Sequence, residues 1–112
     1  MDKTLKQIQL EVFKWSRYNF GGQPAHRPLL GVVEEIGELS HVFLKEEQGI
    51  RLASETEQQR FEKEKDSLGD IMIYLCDYAA RRGIDLQEAL NTTWDVVKQR
   101  DWKRFPKNGR TE

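Results

Sequence analysis

Between Pro28 and Glu47, apolar side chains fall at Leu29, Leu30, Val32, Val33, Ile36, Leu39, Val42 and Phe43, a spacing a helix satisfies and a strand does not. They cover more than one helical face, which predicts a helix set deep in a bundle. Pro28 suits the first turn of such a helix, where its missing N–H costs nothing.

The same period organises the rest of the chain. A first helix is predicted from about Lys3 to Asn19, on Leu5, Ile8, Val12, Phe13 and Trp15 or Ser16, and Phe20-Gly21-Gly22-Gln23-Pro24 breaks it. Gln48 to Ala53 reads as a loop. Ser54-Glu55-Thr56-Glu57 has the spacing of a capping box and opens a third helix, which runs to about Arg82, with Gly83 as its stop. Asp85-Leu86-Gln87-Glu88 repeats the cap spacing before a fourth helix that is predicted to reach about Arg104, where Phe105-Pro106 ends it. No repeat and no strand alternation is present. The expectation is an all-α, four-helix bundle-like domain over residues 1–106, with a polar tail over 107–112. At 112 residues it is one domain whose core is modest for its surface, so a second copy would help complete it.

Composition narrows the function classes. A mean hydropathy of -0.76 and the absence of any apolar run near the roughly 18 residues needed for a bilayer argue against a membrane protein. Met1-Asp2-Lys3-Thr4 offers no apolar signal core, and the single cysteine, Cys76, forms no internal disulfide, so a reducing cytoplasm is expected. Cys76 reads as a small buried apolar residue. The net charge of -1 excludes a general polyanion binder, and the basic stretch is too short for a nucleic-acid protein. Charge is unevenly spread: Lys98 to Glu112 holds six basic residues against two acids, while acids gather in the middle.

Those acids are the informative feature. In Glu34-Glu35-Ile36-Gly37-Glu38, Glu35 and Glu38 are three apart and Glu34 and Glu38 four apart, so each pair shares a face of the most apolar helix. Like charges there repel, and burial makes ionisation costlier; a divalent cation removes both penalties. Asp66 and Asp70 form a second pair where the third helix turns apolar. Antiparallel packing of the second and third helices would bring the two sets together. Carboxylate oxygens with no thiolate and little imidazole suit magnesium, or manganese. Gly37 and Gly69 each precede an acid; mid-helix glycine costs about 1 kcal/mol against alanine, which close helix approach or room for a ligand would explain. A solvated acidic face is the plain alternative, and Asp77 is an outer-shell oxygen, a surface aspartate or a partner for a hydroxyl.

At these residues the sequence resembles the MazG-like all-alpha nucleoside triphosphate pyrophosphohydrolases, relatives of the dimeric dUTPases. That family carries Glu-Glu-x-x-Glu on one helix, Glu-x-x-Asp on the next, and later a basic residue, an aromatic and proline. Glu34-Glu35-Ile36-Gly37-Glu38-Leu39 matches the first motif in full. Leu68 to Leu75 matches the apolar run around the second, Gly83-Ile84-Asp85-Leu86 the entry to the last helix, and Arg104-Phe105-Pro106 its exit. The likeness spans roughly Leu29 to Pro106. It departs at Ser67, where the family has glutamate; Asp66 or Glu64 is left to supply that oxygen, and the four-residue pairing with Asp70 favours Asp66. It departs again at Asp101, where the family has asparagine, so that residue's phosphate or sugar role does not transfer.

The resemblance implies a magnesium-dependent enzyme that cleaves nucleoside triphosphates to monophosphate and pyrophosphate, and that acts as a homodimer or tetramer. Glu35, Glu38 and Asp70 would be metal ligands with Asp66 as the fourth, and Glu34 would orient or deprotonate the water. Lys98, Arg100 and Arg104 would meet phosphate oxygens, or simply offset a helix dipole. Trp15, Asn19 and Phe20, or Trp94 and Trp102, would flank a base, unless they belong to the core. His26, just ahead of the second helix, is a further candidate for substrate contact.

Two rivals stand beside this. Glu38-Leu39-Ser40-His41 is a Glu-x-x-His unit like those of di-iron bundles, but it lacks the second unit such a site needs. The other is a non-catalytic helical dimer or adaptor whose acids are merely solvated.

Overall fold

The computed structural model describes residues 2–50 and 55–110. Among them the chain is all-helical: α1 (Leu5–Phe20), α2 (His26–Gln48), α3 (Glu57–Arg81) and α4 (Leu86–Val97). Local chemistry sets the helix starts. Gln7 N–H donates to Thr4 Oγ1 at 3.1 Å while Thr4 N–H donates to Gln7 Oε1 at 2.8 Å, a reciprocal cap for α1. At α3 the same exchange joins Thr56 and Gln59, two residues later than the Ser54–Glu57 spacing suggests; Ser54 itself lies outside the described residues. Asp85 caps α4 by accepting from Glu88 N–H, and Gly83, at φ 69°, makes the turn between α3 and α4.

α3 is the axis of the molecule. α2 packs along it antiparallel: a Cβ on Gly31 would come within 2.6 Å of the Tyr74 ring, and Arg60 pairs with Glu46 at 3.7 Å near the far end. α1 packs along the other end of α3, and it too runs antiparallel. Gln9 marks that contact, donating to Ile84 O at 2.7 Å and accepting from Leu86 N–H at 2.9 Å. α4 lies against α1 and the C-terminal end of α3, and Lys6 on α1 pairs with Asp85 at 3.3 Å. α1 and α2 do not pack on each other.

The four helices therefore form an open arrangement, and α2 is not enclosed as its apolar breadth predicts. Leu30 and Val33 are both 61% exposed, and among the described residues the buried apolar side chains include Pro28, Val32, Cys76 and Ala79. The radius of gyration is 18.0 Å, against about 13 Å for a compact chain of this length. The α2–α3 hairpin projects past the end of α1, with Ile36, Phe43, Leu44, Phe61 and Leu68 exposed along it.

The fourth helix stops at Val97, short of the expected Arg104. Asp101 explains the difference. Its Oδ1 accepts from the N–H groups of Lys103 (3.1 Å) and Arg104 (2.9 Å), and its own N–H donates to Gly109 O at 2.8 Å. A short aspartate side chain competes here with the helix for backbone donors and folds residues 101–109 into a compact turn. Gly109, at φ 75°, sits against Trp102. No helix among the described residues is long and apolar enough to cross a membrane.

Candidate metal centre

One acid from α2 and one from α3 come to a common cavity where α1 ends and the hairpin begins to project. Glu35 and Asp70 line one cavity of about 500 Å³, together with Trp15, Phe20, Arg27 and Tyr74. Glu35 is half-buried there. Its carboxyl is held above the ordinary carboxylate range, first by burial and then by the negative charges of Glu38, Asp70 and Glu34. Glu35 thus senses the other two carboxylates of the first motif and the aspartate of the second.

Glu38, one turn further along α2, is exposed and lines a second cavity of about 550 Å³ with Glu64 and Ser67. The antiparallel register puts Glu64 and Ser67 opposite Glu38. Asp66, favoured by its spacing from Asp70, is exposed and lines neither cavity, whereas Glu64 is half-buried beside Glu38. Glu64 is therefore the better placed of the two to stand in for the acid missing at Ser67. Glu34 is exposed and adjoins the group by its charge alone.

Among the described residues no three His, Cys, Asp or Glu side chains converge closely enough to cradle a cation. The donor chemistry nevertheless fits a hard ion: oxygen ligands from two facing helices, one of them already disfavoured as an anion by its neighbours. A cation between them would offset that repulsion.

The basic residues near the C-terminus are not brought to this place. Lys98 pairs with Asp95 at 3.1 Å, Arg104 lies over the Phe105 ring at 5.1 Å, and Arg100 keeps a buried Nε without a hydrogen-bond partner; none of the three lines either cavity. α4 ends at Val97, so none of the three lies within it. His26, exposed in the first turn of α2, also lies outside both cavities.

Its neighbour Arg27 lines the Glu35 cavity instead. A local signal points to it: α2 has no acid in its first turn and carries a cation there, against the helix dipole. Trp15 does line the cavity, edge-on to Phe20 with ring centroids 5.6 Å apart and planes at 84°. Asp77 also lines this cavity, and each of its oxygens accepts a hydrogen bond. Oδ2 accepts from Ser16 Oγ at 2.7 Å and Oδ1 from Arg81 Nε at 2.8 Å. The partner for a hydroxyl is the alternative that holds.

Compared with protein-family models, with curated proteins and with solved structures, the chain finds no match.

Proposed function

We propose that this protein is a magnesium-dependent nucleoside triphosphate pyrophosphohydrolase, with manganese as a substitute ion. One observation carries the reading: Glu35 and Asp70, from facing helices, share a cavity with Arg27 and with the aromatic pair Trp15 and Phe20. A triphosphate has the matching ends, an anionic chain that needs cations and a flat base that stacks on aromatic rings.

Glu35, Glu38 and Asp70 would hold the ion, with Glu64 or Asp66 supplying the fourth carboxylate. Bound there, the ion would neutralise phosphate charge. Arg27 supplies a cation to the phosphates from the protein itself, a task the sequence assigned to Lys98, Arg100 and Arg104. Glu34 orients the attacking water or takes its proton. Water attacks at the α–β anhydride, that bond breaks, and the products are the nucleoside monophosphate and pyrophosphate.

The reading includes a cytoplasmic location, in keeping with the lone reduced Cys76, and a homodimer or higher assembly. The exposed apolar residues of the α2–α3 hairpin support association, because a surface so rich in unpaired Leu, Val and Phe is covered in a stable protein.

Pyrophosphate release across a panel of canonical and modified nucleoside triphosphates, with magnesium and with chelator, tests the proposal. Magnesium-dependent release from at least one of them is expected. No release from any, together with no rise in melting temperature on adding magnesium, would leave the non-catalytic adaptor as the better account.

A further inference from the structure

We infer that Arg81 is a positioning residue for the substrate: it holds the α1–α2 turn so that Phe20, Gln23 and Arg27 face the carboxylates. The inference rests on the proposed function and goes beyond it, since no resemblance or spacing singles out Arg81.

The starting point is a gap in the packing. The backbones of α1 and α2 do not approach closely, so helix packing alone does not fix the turn between them. Among the described residues, the hydrogen bonds that tie residues 21–25 to another helix both come from Arg81. Its Nη1 donates to Gly21 O and to Gln23 O, each at 3.1 Å.

The rest of the guanidinium is locked. Nε donates to Asp77 Oδ1 at 2.8 Å, Nη2 donates to Ser16 Oγ at 2.8 Å, and Ser16 Oγ donates to Asp77 Oδ2 at 2.7 Å. The Arg81 and Asp77 side chains are 7% and 8% exposed. Arg81 and Asp77 stand one turn apart on α3, Ser16 comes from α1, and the accepted carbonyls come from the turn. One planar fork thus joins both helices and the turn, with its charge balanced by Asp77 and its donors aimed in fixed directions.

What the fork holds is part of the wall of the cavity that Glu35 and Asp70 also line. Phe20 precedes the first anchor, Gln23 is the second, and Arg27 follows one turn later; all three line that cavity. Asp77 also lines the cavity, with one hydrogen bond accepted on each oxygen from within the node. The node therefore governs where the substrate lies, while Glu35, Glu38 and Asp70 stand outside it.

Lysine keeps the charge of Arg81 but cannot make the fork. The test compares wild type and Arg81→Lys by steady-state pyrophosphate release, magnesium-linked melting, and amide hydrogen exchange of residues 19–27. The expected result is a KM raised by about tenfold or more with kcat within about threefold, since misplacement of binding groups by about 1 Å has effects of that order. Exchange should quicken across the turn, and the magnesium-linked rise in melting temperature should be unchanged. An active wild type whose Arg81→Lys variant keeps its KM overturns this inference alone. A wild type that cleaves no triphosphate overturns the proposed function and this inference with it. Loss of the magnesium response in Arg81→Lys also overturns it, because the node would then be supporting the whole fold. If the lysine variant does not fold, Ser16→Ala, which removes the acceptor of Nη2 and so frees the fork that aims Nη1 at the turn, must quicken exchange across residues 19–27 and raise KM; an unchanged KM there overturns the inference.

Discussion

Glu35 on α2 and Asp70 on α3 face the same cavity, and the charge of Asp70 helps hold the Glu35 carboxyl above its ordinary range. A residue 35 positions away in sequence thus contributes to the electrostatics of Glu35.

A carboxyl whose pKa is raised by folding adds stability while protonated, and that contribution is lost as pH rises through the folded-state value. Near neutral pH, with no metal, Glu35→Gln should therefore melt at a higher temperature than wild type. The gap should close at pH values below the ordinary carboxylate range. With magnesium the order reverses, because the variant lacks a ligand. Melting curves across pH, with and without the ion, provide the check; a variant that gains as much from magnesium as wild type does would remove Glu35 from the site.

Glu38→Ala should abolish triphosphate hydrolysis while far-ultraviolet dichroism stays unchanged, since Glu38 is exposed and supports no packing. The fourth ligand is separated by Glu64→Ala against Asp66→Ala. The cavity that joins Glu64 to Glu38 predicts that the first loses the magnesium-linked melting rise and the second keeps it. The opposite pattern would restore the choice made by spacing.

Val33 is 61% exposed, so a charge there has little to disrupt inside one chain. Val33→Glu is expected to leave helicity intact and to shift sedimentation from dimer to monomer. Gly37 gives a complementary reading. A Cβ at Gly37 would meet nothing within 4 Å in its own chain, so Gly37→Ala should stabilise an isolated chain by up to about 1 kcal/mol. Weaker association of that variant would show that a neighbouring helix uses the space. A wild type that sediments as a monomer at every concentration would end the dimer reading.

Asp85 has its carboxyl held below the usual range, chiefly by the hydrogen bond from Glu88 N–H and also by Lys6. A depressed carboxylate adds stability above its unfolded-state pKa and loses it as pH falls through the folded-state value. Asp85→Ala should lower the melting temperature at neutral pH, and the difference should narrow in acid. A gap independent of pH would mean that the carboxylate charge does not contribute.

How much of this was legible beforehand differs from element to element. Four helices, their breaks at Gly21 and Gly83, and the Asp85 cap follow from the 3.6-residue period and from side chains that bond their own backbone, interactions that span only a few residues. The first-motif acids were legible for the same reason, since spacing along one helix is geometry. The end of α4 was missed because Asp101 bonds forward to Lys103 and Arg104, a local competition that apolar period does not register.

The sequence by itself determined that the chain is helical and that carboxylates three and four residues apart stand within an apolar helix. Tertiary structure decided which of them face a shared cavity, that Glu64 rather than Asp66 lines the cavity of Glu38, that Arg27 rather than the C-terminal basic residues lines the cavity of Glu35, and that Arg81 anchors a turn. Each of those depends on the register and crossing of helices distant in sequence. Packing sets register through contacts such as Gly31 against Tyr74, which no periodicity within a single helix contains.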